Sequence, residues 1–488
     1  MDCDMMTSDK PHAVCIPVPL LSHVMAMLNV AKLLHQRGFF ITFVITDYVH
    51  KRIIKSRGPN SLDGILNFQF KTIADGIMAQ GTDIEAPQDM AAICIAISNN
   101  FIAPFRSLLS QLNHEATPPV SCIVSDGGLS SFTIKAAMEF NIPIAHLWSV
   151  SPCSFLGFMH FGDLVKRGVI PFKDESYLSN GYLNTTIDWI PGMKSIRLKD
   201  LPSFIRTSNP NDIFLKYFIE QTKWTRKASA IILNTFDALD HEVLDALSSM
   251  LPPIYTIGPH HLLSRQIKDQ SEEAIATNYW EDNHECITWL DSKEPNSVIY
   301  VNFGSITIMT FNQITEFAWG LANSKQPFLW IIRPDLVNSD SLILSHDFLE
   351  ETKGIGMIAS WCAQEEVLKH PSIKGFLTHN GWNSTLESIC GGVPMISWPY
   401  FADQPTTCLY CCEKWGIALE IDNDVKRDGV ESCIKELMEG KKGEDMKAKV
   451  MELKRKAEES CRHGGSSYFN LNKLITDVLL SKCYGEVK

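Results

Sequence analysis

The chain has 488 residues, of which 45% are hydrophobic and 20% are charged, and its formal net charge is −12. This composition is typical of a folded globular protein, and the length exceeds what one hydrophobic core usually fills, so we expect two domains. The acidic balance argues against nucleic acid as a partner, because nucleic-acid binding favours a basic surface. No uninterrupted apolar run is long enough to cross a bilayer, so we expect no stable membrane insertion.

Cysteine usage and the first residues both favour a cytoplasmic protein. The cysteines include Cys15, Cys94 and Cys122, which lie inside apolar runs and are typical of small buried side chains in a reducing compartment. Residues 1–6 are acidic and are followed by no apolar core of signal-peptide length. We therefore expect the chain to stay in the cytoplasm.

The first elements predict a strand, a helix and a second strand joined by tight connections. Residues 13–19 form the first predicted strand, and residues 24–36 have apolar positions at helical spacing, with Gly38 as the expected helix end. The second strand, residues 39–45, follows at once. Such a unit is typical of a parallel sheet covered by helices.

The same pattern recurs along the chain and predicts two α/β sheets. Its later segments are residues 122–124 (strand), 131–139 (helix), 142–148 (strand), 298–303, 328–332 and 357–360 (strands). The Pro- and Gly-rich stretch 251–259 and the polar stretch 266–285, a predicted surface loop, lie between the two sets. We expect an N-terminal domain in residues 1–251 and a C-terminal domain in residues 252–467. Residues 468–488 would hold a C-terminal amphipathic helix that packs back across the domains.

Two polar residues follow strands of the first predicted sheet. In an open parallel sheet, ligands bind beyond the carboxyl ends of the strands. His23 follows the first strand near the start of the first helix, and Asp126 follows the strand at 122–124. If they meet, Asp126 would orient the His23 ring and stabilise its cation, as a general base requires. The alternative is a helix-entry histidine and a turn aspartate that never meet.

Residues 361–404 carry the most specific pattern in the chain. They predict a strand at 375–378, a turn at 379–382 and a helix that begins near Asn383 or Ser384. A helix start binds anions through its free backbone N–H groups, so a diphosphate fits there. The side chains expected to bind it and the adjoining sugar hydroxyls are those of His379, Asn383, Ser384 and Glu387.

Further along this segment, Asp403 and Gln404 follow another predicted strand and are suited to binding several hydroxyls of a hexose. Trp361 and Trp382 offer flat faces for a base or a sugar. Structural alternatives stay open for several of these residues. They are core packing for Trp382, helix caps for Ser384 and Asp403, and an exposed helix charge for Glu387.

Residues 361–404 resemble, nearly position for position, the signature box of the plant family 1 UDP-glycosyltransferases. Shorter segments at 11–14, 234–236 and 301–305 are similar to that family as well. The segments at 188–193 and 197–205 resemble the branch of glucosyltransferases that act on 7-deoxyloganetin, other terpenoids and cyanohydrins.

The resemblance implies a GT-B fold, in which two Rossmann-like domains face each other across a cleft. The donor would bind mainly in the C-terminal domain and the acceptor in the N-terminal domain. The implied activity is an inverting, metal-independent transfer of glucose from UDP-glucose to a hydroxyl of a small lipophilic acceptor, with His23 as base and Asp126 as its partner. Such an enzyme forms glucosides in plant specialised metabolism. We expect a monomer that uses UDP-glucose as co-substrate and needs no further cofactor.

The family pattern also implies a role for each residue of the donor site. Trp361 and the Ala363 backbone would hold uracil, and Gln364 and Glu387 the ribose. The residues implied for the diphosphate are Ser305, His379, Asn383 and Ser384. Those implied for the sugar are Ser149, Trp382, Asp403 and Gln404. Gln404 stands at the last position of the box, where galactose users typically carry His, and so favours glucose.

The acceptor site departs from the family pattern. Leu20-Leu21-Ser22 stand before His23 where the family commonly has Ala-Gln-Gly, so the usual acceptor assignments are not carried over. An apolar run at 148–161 suggests a pocket for terpenoid alcohols, phenolics or cyanohydrins, although such runs more often pack as plain core. The residues predicted for this pocket are Leu21, Trp148, Phe155 and Met159.

The sequence bears on three alternative functions and on a metal requirement. A nicotinamide-dependent oxidoreductase is disfavoured, because no Gly-x-Gly-x-x-Gly motif follows the first strand. The same fold with another UDP-sugar, or a non-catalytic nucleotide-sugar-binding protein, stays open. Possible metal-binding patterns occur at residues 2–4, 408–412 and 422–424. The cysteines at 408–412 have no second Cys/His pair at zinc-like spacing, and we expect no metal requirement.

Overall fold

The computed structural model describes residues 10–77, 89–115, 118–266, 284–332 and 344–481. These residues form two compact units. The first unit contains the described residues up to Leu198, those from Phe204 to 266, and those from Glu459 onward; the second contains Lys199–Ser203 and the described residues from 284 to Glu458. The predicted loop at 266–285 lies almost entirely outside the described residues. The predicted domain limits at 251/252 and 467/468 differ from the limits of these units and stay a prediction.

Strands and helices alternate along most of the chain. The described strands are β1 (His12–Ile16), β2 (Phe40–Thr46), β3 (Phe68–Ile73), β4 (Val120–Asp126), β5 (Ile144–Trp148), β6 (Thr186–Ile187), β7 (Ile196–Arg197), β8 (Ala230–Leu233), β9 (Ile254–Thr256), β10 (Val298–Asn302), β11 (Phe328–Ile331), β12 (Gly356–Ala359), β13 (Ile373–Thr378), β14 (Met395–Ser397) and β15 (Ala418–Glu420).

The described α-helices are α1 (Leu21–Gln36), α2 (Asp47–Arg57), α3 (Met90–Asn100), α4 (Ile102–His114), α5 (Ser130–Phe140), α6 (Pro152–Met159), α7 (Phe161–Lys166), α8 (Ile213–Thr225), α9 (His241–Ser248), α10 (His260–Gln266), α11 (His284–Asp291), α12 (Phe311–Ser324), α13 (His346–Glu351), α14 (Gln364–Lys369), α15 (Trp382–Gly391), α16 (Gln404–Leu409), α17 (Arg427–Glu439), α18 (Lys441–Cys461) and α19 (Ser466–Leu474). Single π-helical turns follow α16 and α19, at Tyr410–Lys414 and Ile475–Leu479. Short 3₁₀ turns lie at Pro59–Leu62, Gly127–Leu129, Glu175–Leu178, Tyr182–Asn184, Leu198–Asp200 and Ser203–Ile205.

A parallel sheet forms the centre of the first unit, with the described strands in the order β3-β2-β1-β4-β5-β8-β9. All five residues of β1 are buried, as expected for a strand covered by helices on both faces. The first strand and helix differ from their predicted limits. β1 ends at Ile16 because Pro17 and Pro19 have no backbone N–H for the ladder, and α1 already begins at Leu21. Gly38 follows α1 with φ +87°, as its predicted role at the helix end requires.

A second parallel sheet forms the centre of the second unit, with the described strands in the order β12-β11-β10-β13-β14-β15. Asn302 of β10 pairs with Thr378 of β13, which in turn pairs with Ser397 of β14. The carboxyl ends of these three strands therefore meet at one edge of the sheet. The prediction of two parallel α/β sheets is confirmed.

The predicted C-terminal helix is present as α19, and its contacts described here are with the first unit. Leu471 and Leu474 join the core around β1 and β2. Ser467 Oγ donates a hydrogen bond of 2.6 Å to the Gly258 carbonyl, and Asn470 Nδ2 donates one of 2.9 Å to Thr256 Oγ1. The chain thus completes the first unit after it has traversed the second.

Among the described helices, no single one is both long and apolar enough to cross a membrane. The helices α3 and α4 together are long and apolar enough by length and composition, but they are bent by 56° at the break between them.

Candidate active site

The structure brings His23 and Asp126 together in the first unit. His23 lies in the first turn of α1 and Asp126 is the last residue of β4, the strand that pairs with β1. His23 Nδ1 lies 2.7 Å from Asp126 Oδ2. The aspartate is buried, whereas the histidine side chain is 25% exposed. A buried carboxylate therefore contacts an imidazole that a ligand can reach.

The Asp126 carboxylate is fixed by the turn that follows it. Its second oxygen, Oδ1, accepts a 2.9 Å hydrogen bond from the Gly128 backbone N–H, and the Tyr217 hydroxyl donates to the Gly128 carbonyl. A Cβ at Gly127 would come within 2.3 Å of the Trp148 ring, so the turn needs glycine at that position. Both carboxylate oxygens thus have defined partners.

This arrangement selects one tautomer of His23. A carboxylate only accepts hydrogen bonds, so Nδ1 carries the proton and Nε2 carries the lone pair. Ser149 Oγ lies 3.0 Å from the same Nδ1 and can act as a second acceptor for its proton. Ser149, which the family pattern assigns to the sugar, is therefore placed beside His23.

The four residues predicted for an acceptor pocket fall into two groups. Leu21 is partly exposed in the first turn of α1. Trp148, Phe155 and Met159 are 3%, 0% and 5% exposed, and the Trp148 ring stacks on Phe155 with centroids 4.3 Å apart. These three residues pack as core, the alternative considered for this apolar run, and their role in a pocket stays a prediction.

In the second unit, His379 follows β13 and α15 begins at Trp382, slightly earlier than predicted. The first turn of a helix presents backbone N–H groups and the positive end of the dipole, which together attract an anion. A Cβ at Gly304 or at Gly381 would lie 2.5 or 2.6 Å from His379 Nε2. Glycine at both positions leaves the space that the imidazole occupies.

His379 is electrically neutral at neutral pH. The ring is 7% exposed, and burial lowers its pKa to about 4. It can therefore stabilise a diphosphate by donating a hydrogen bond rather than by carrying a positive charge. Of the other diphosphate candidates, Ser305 is exposed directly after Gly304, and Asn383 is partly buried in the first turn of α15.

Gln364, Ser384 and Glu387 form one cluster. Gln364 Nε2 donates hydrogen bonds of 2.9 Å to Ser384 Oγ and 2.7 Å to Glu387 Oε2. Burial raises the pKa of Glu387 to about 7, although the hydrogen bond from Gln364 opposes that rise. Two further members, Tyr300 and Asn302, were not assigned from the sequence. The similarity of the segment 301–305 to the family includes Asn302, whereas no signal in the sequence pointed to Tyr300.

The two tryptophans of the signature box have different surroundings. Trp361 follows β12, is partly exposed, and lies just before Ala363, the residue that caps α14. Trp382 is 3% exposed and packs against Trp415, with ring centroids 6.2 Å apart. Trp361 is thus partly accessible, whereas the Trp382 ring is buried. The roles of both residues in the donor site stay a prediction.

The segment that leads into α16 contains Asp403, which is partly buried, and Gln404, which is buried. Gln404 Oε1 accepts hydrogen bonds of 2.8 Å from both the Tyr400 and the Phe401 backbone N–H. Because the amide oxygen is used in this way, the Nε2 hydrogens are the groups that Gln404 can offer to a ligand.

Residues 199–203, which belong to the same unit, form hydrogen bonds with this turn. Ala402 has φ +57°, an unfavourable conformation for a residue with a Cβ. Ser203 N–H donates to the Ala402 carbonyl and Ser203 Oγ accepts from Ala402 N–H, each at 2.8 Å. Thr406 Oγ1 also donates a 2.7 Å hydrogen bond to the Asp200 carbonyl. Sequence reasoning missed this support, although residues 197–205 stood out by their resemblance.

The described residues contain no group of three or more His, Cys, Asp or Glu side chains placed to hold a metal ion. Cys408 Sγ and Cys412 Sγ are 3.9 Å apart, one helical turn from each other. The pattern at residues 2–4 lies outside the described residues.

Comparison with known proteins gives consistent results. The family model described as UDP-glucoronosyl and UDP-glucosyl transferase matches residues 14–459. A 7-deoxyloganetin glucosyltransferase from Gardenia jasminoides is 58% identical over 478 residues, covering 97% of this chain and 98% of its own length. An (R)-mandelonitrile beta-glucosyltransferase from Prunus dulcis is 52% identical over 478 residues, with the same coverage of both chains.

Among solved structures, that of Os79 from O. sativa in complex with UDP is 26% identical. It superposes with a TM-score of 0.79 and covers 95% of this chain and 99% of its own. The expected GT-B fold class, with two Rossmann-like parallel α/β units, is confirmed.

Proposed function

Because the chain belongs to the UDP-glucoronosyl and UDP-glucosyl transferase family and is a UDP-glycosyltransferase, we propose that it transfers glucose from UDP-glucose to a hydroxyl of a small lipophilic acceptor with inversion. The observation that carries the proposal is the 2.7 Å contact between His23 Nδ1 and Asp126 Oδ2. It orients an accessible imidazole so that its basic nitrogen is Nε2.

In the proposed reaction, His23 Nε2 accepts the hydroxyl proton as the acceptor oxygen attacks the anomeric carbon. The bond from that carbon to the UDP oxygen breaks on the opposite face, so an α-linked donor yields a β-glucoside. Asp126 stabilises the imidazolium that forms, because its carboxylate already accepts the proton on Nδ1. Ser149 Oγ, 3.0 Å from the same nitrogen, supports this orientation.

The second unit would bind the donor and stabilise the leaving group. Negative charge develops on the diphosphate as the glycosidic bond breaks, and the N-terminus of α15 offers backbone N–H groups to it. His379 contributes as a neutral donor, since its pKa is lowered to about 4. We propose that these groups suffice without a metal ion, and activity that persists after treatment with a chelator is the expected result.

Glucose is the proposed sugar, because Gln404 presents a fixed amide donor at the end of the box. Its oxygen already accepts from two backbone N–H groups, so Nε2 is the group that would donate to sugar hydroxyls. Asp403 would accept hydrogen bonds from neighbouring hydroxyls. A carboxylate beside an amide donor fits a hexose, whose hydroxyls both donate and accept.

The proposed acceptors are alcohols of terpenoid type or cyanohydrins, with phenolics as a further class. This choice is supported by the relatives named for 7-deoxyloganetin and (R)-mandelonitrile, which are 58% and 52% identical. A transfer to such a hydroxyl converts a lipophilic alcohol into a water-soluble glucoside. We also propose a monomeric, cytoplasmic enzyme, which gel filtration and a fluorescent fusion would test.

The function is tested by incubating the purified protein with UDP-glucose, UDP-galactose or UDP-xylose and a panel of terpenoid alcohols, cyanohydrins and phenolics. Mass spectrometry detects the product, and NMR of the anomeric proton gives its configuration. We expect β-glucosides from UDP-glucose and much less product from the other donors. An α-glucoside would contradict inversion.

The same experiment separates the alternatives. Preference for UDP-galactose or UDP-xylose would favour the same chemistry with another sugar. Tight binding of UDP-glucose without transfer to any acceptor of the panel would favour a non-catalytic binding protein.

A further inference from the structure

The side-chain amide of Gln364 has all its hydrogen-bonding positions occupied by protein. Its oxygen accepts from the Tyr300 hydroxyl at 3.1 Å and from Asn302 Nδ2 at 2.9 Å. Its nitrogen donates to Ser384 Oγ and to Glu387 Oε2. An amide has two acceptor and two donor positions, so this set is complete. Gln364 is therefore a connecting residue. Glu387 accepts from it through Oε2 and has a second carboxylate oxygen, Oε1, that could bind a ligand.

The orientation of this amide follows from one backbone group. The Gly304 N–H can only donate, and it donates to Asn302 Oδ1 at 2.9 Å. Asn302 must then turn Nδ2 towards Gln364 and Tyr300, the latter also at 2.9 Å. Since Nδ2 only donates, it requires the oxygen of Gln364 on its side, and Gln364 Nε2 must face Glu387. The donor and acceptor roles are thus fixed one after another along the hydrogen bonds that lead from Gly304 to Glu387.

We propose that Tyr300 and Asn302 are positioning residues of the donor site, which hold the Gln364 amide so that Glu387 is kept in place to bind a ribose hydroxyl of the UDP-sugar. The proposal rests on the proposed function, because it takes the Gln364 and Glu387 cluster as the ribose side of that site. Asn302 also joins the ribose side to Gly304, which lies against His379 on the diphosphate side.

Both residues permit conservative substitutions. Tyr300 is fully buried and its ring stacks on Phe376 with centroids 4.9 Å apart, so Tyr300→Phe removes the hydroxyl and keeps the packing. Asn302→Asp keeps the acceptor for Gly304 but places a carboxylate oxygen opposite Gln364 Oε1. Two acceptors cannot share that contact, so the Gln364 amide must rotate and turn its oxygen towards Glu387.

The test measures binding of UDP, 2′-deoxy-UDP and 3′-deoxy-UDP by calorimetry to the full-length protein and both variants. We expect the wild type to bind UDP about tenfold more tightly than at least one of the deoxy ligands, as for the loss of one hydrogen bond. In both variants we expect this ratio to fall to about twofold or less, while affinity for that deoxy ligand stays unchanged. In turnover, KM for UDP-glucose should rise while kcat stays near the wild-type value.

Thr352→Val is the matched control in the same unit. It removes a buried hydroxyl that donates to the Phe348 carbonyl at 2.8 Å, away from the cluster, and should leave the ratio unchanged. A wild-type ratio in both Tyr300→Phe and Asn302→Asp would overturn the inference, as would an equal loss of affinity for all three ligands, which indicates general destabilisation. If the wild type binds UDP without any preference over the deoxy ligands, the ribose contact is wrong. If it does not bind UDP at all, the proposed function itself fails.

Discussion

His23 Nδ1 and Asp126 Oδ2 are 2.7 Å apart, although 103 positions separate the two residues in the sequence. Their contact results from strand order, because β1 and β4 are parallel neighbours, Asp126 is the last residue of β4, and His23 lies in the first turn of the helix that follows β1. The position of Asp126 is fixed by its own turn, through Gly128 and Tyr217. Rate measurements on variants of the two residues test whether this geometry carries the chemistry.

We expect His23→Ala to lower kcat by at least about 100-fold, because it removes the base that accepts the acceptor proton. Asp126→Asn keeps the size of the side chain but removes its charge, and we expect about a tenfold or greater loss of kcat. Initial rates with UDP-glucose and one accepted alcohol check both values. Affinity for UDP, which the second unit is proposed to bind, should stay unchanged. A near-wild-type rate for His23→Ala would refute its assignment as the base.

Gly381→Ala should impair the diphosphate side of the donor site. The new Cβ would lie 2.6 Å from His379 Nε2, so the imidazole must move. We expect kcat/KM for UDP-glucose to fall by about 100-fold, the loss seen when one donor to a developing charge is removed. Gly429→Ala is the matched control, because it lies in α17 of the same unit with nothing within 4 Å of its Cβ. Equal kcat/KM values for the two variants would show that the space beside His379 does not need glycine at position 381.

Ser203→Ala should loosen the segment that presents Asp403 and Gln404. The hydroxyl accepts from the Ala402 backbone N–H, and Ala402 has φ +57°. Loss of one such hydrogen bond costs about 1 kcal/mol, so we expect about a fivefold lower kcat/KM and a smaller preference for UDP-glucose over UDP-galactose. Ser432→Ala, exposed on α17, should leave both quantities unchanged. An unaltered sugar preference in Ser203→Ala would show that the turn keeps its shape without this contact.

Glu387→Gln should change how stability depends on pH. The folded protein raises the pKa of Glu387 from 4.5 to about 7. The folded state therefore binds this proton more tightly than the unfolded state, and that stabilisation is lost as pH rises from 4.5 to 7. Glutamine does not ionise, so the variant avoids this decrease in the free energy of unfolding, which reaches up to about 3 kcal/mol.

Thermal unfolding of the ligand-free protein provides the measurement for Glu387→Gln. Relative to the wild type, we expect the variant to gain melting temperature between about pH 5 and about pH 8. A constant difference across this range would mean that Glu387 does not titrate there.

Much of the fold could be predicted because hydrophobic periodicity records burial directly. The strand, helix and strand order around β1, α1 and β2 follows from where apolar residues lie. The meeting of His23 with Asp126 could be anticipated for a related reason, since residues after parallel strands collect at one edge of the sheet. The error at the end of β1 came from counting Pro17 and Pro19 as strand residues when neither can donate to the ladder.

Other parts of the site had no such signal. The contact of Ser203 with Ala402 joins residues 199 positions apart through single hydrogen bonds, which leave no period in the sequence. Tyr300 and Asn302 look like ordinary strand residues until their hydrogen bonds are known. Trp148 and Phe155 show the converse, because an apolar run has the same composition whether it lines a pocket or fills a core.

The return of α19 to the first unit has a consequence for the order in which the protein folds during synthesis. The second unit emerges from the ribosome before Ser467 and Asn470, which bond to the turn and strand at Gly258 and Thr256. The first unit therefore stays incomplete until the residues of the second unit have been synthesised. The second unit can then reach its native state before the first. Until α19 docks, the core of the first unit lacks the cover that Leu471 and Leu474 give it.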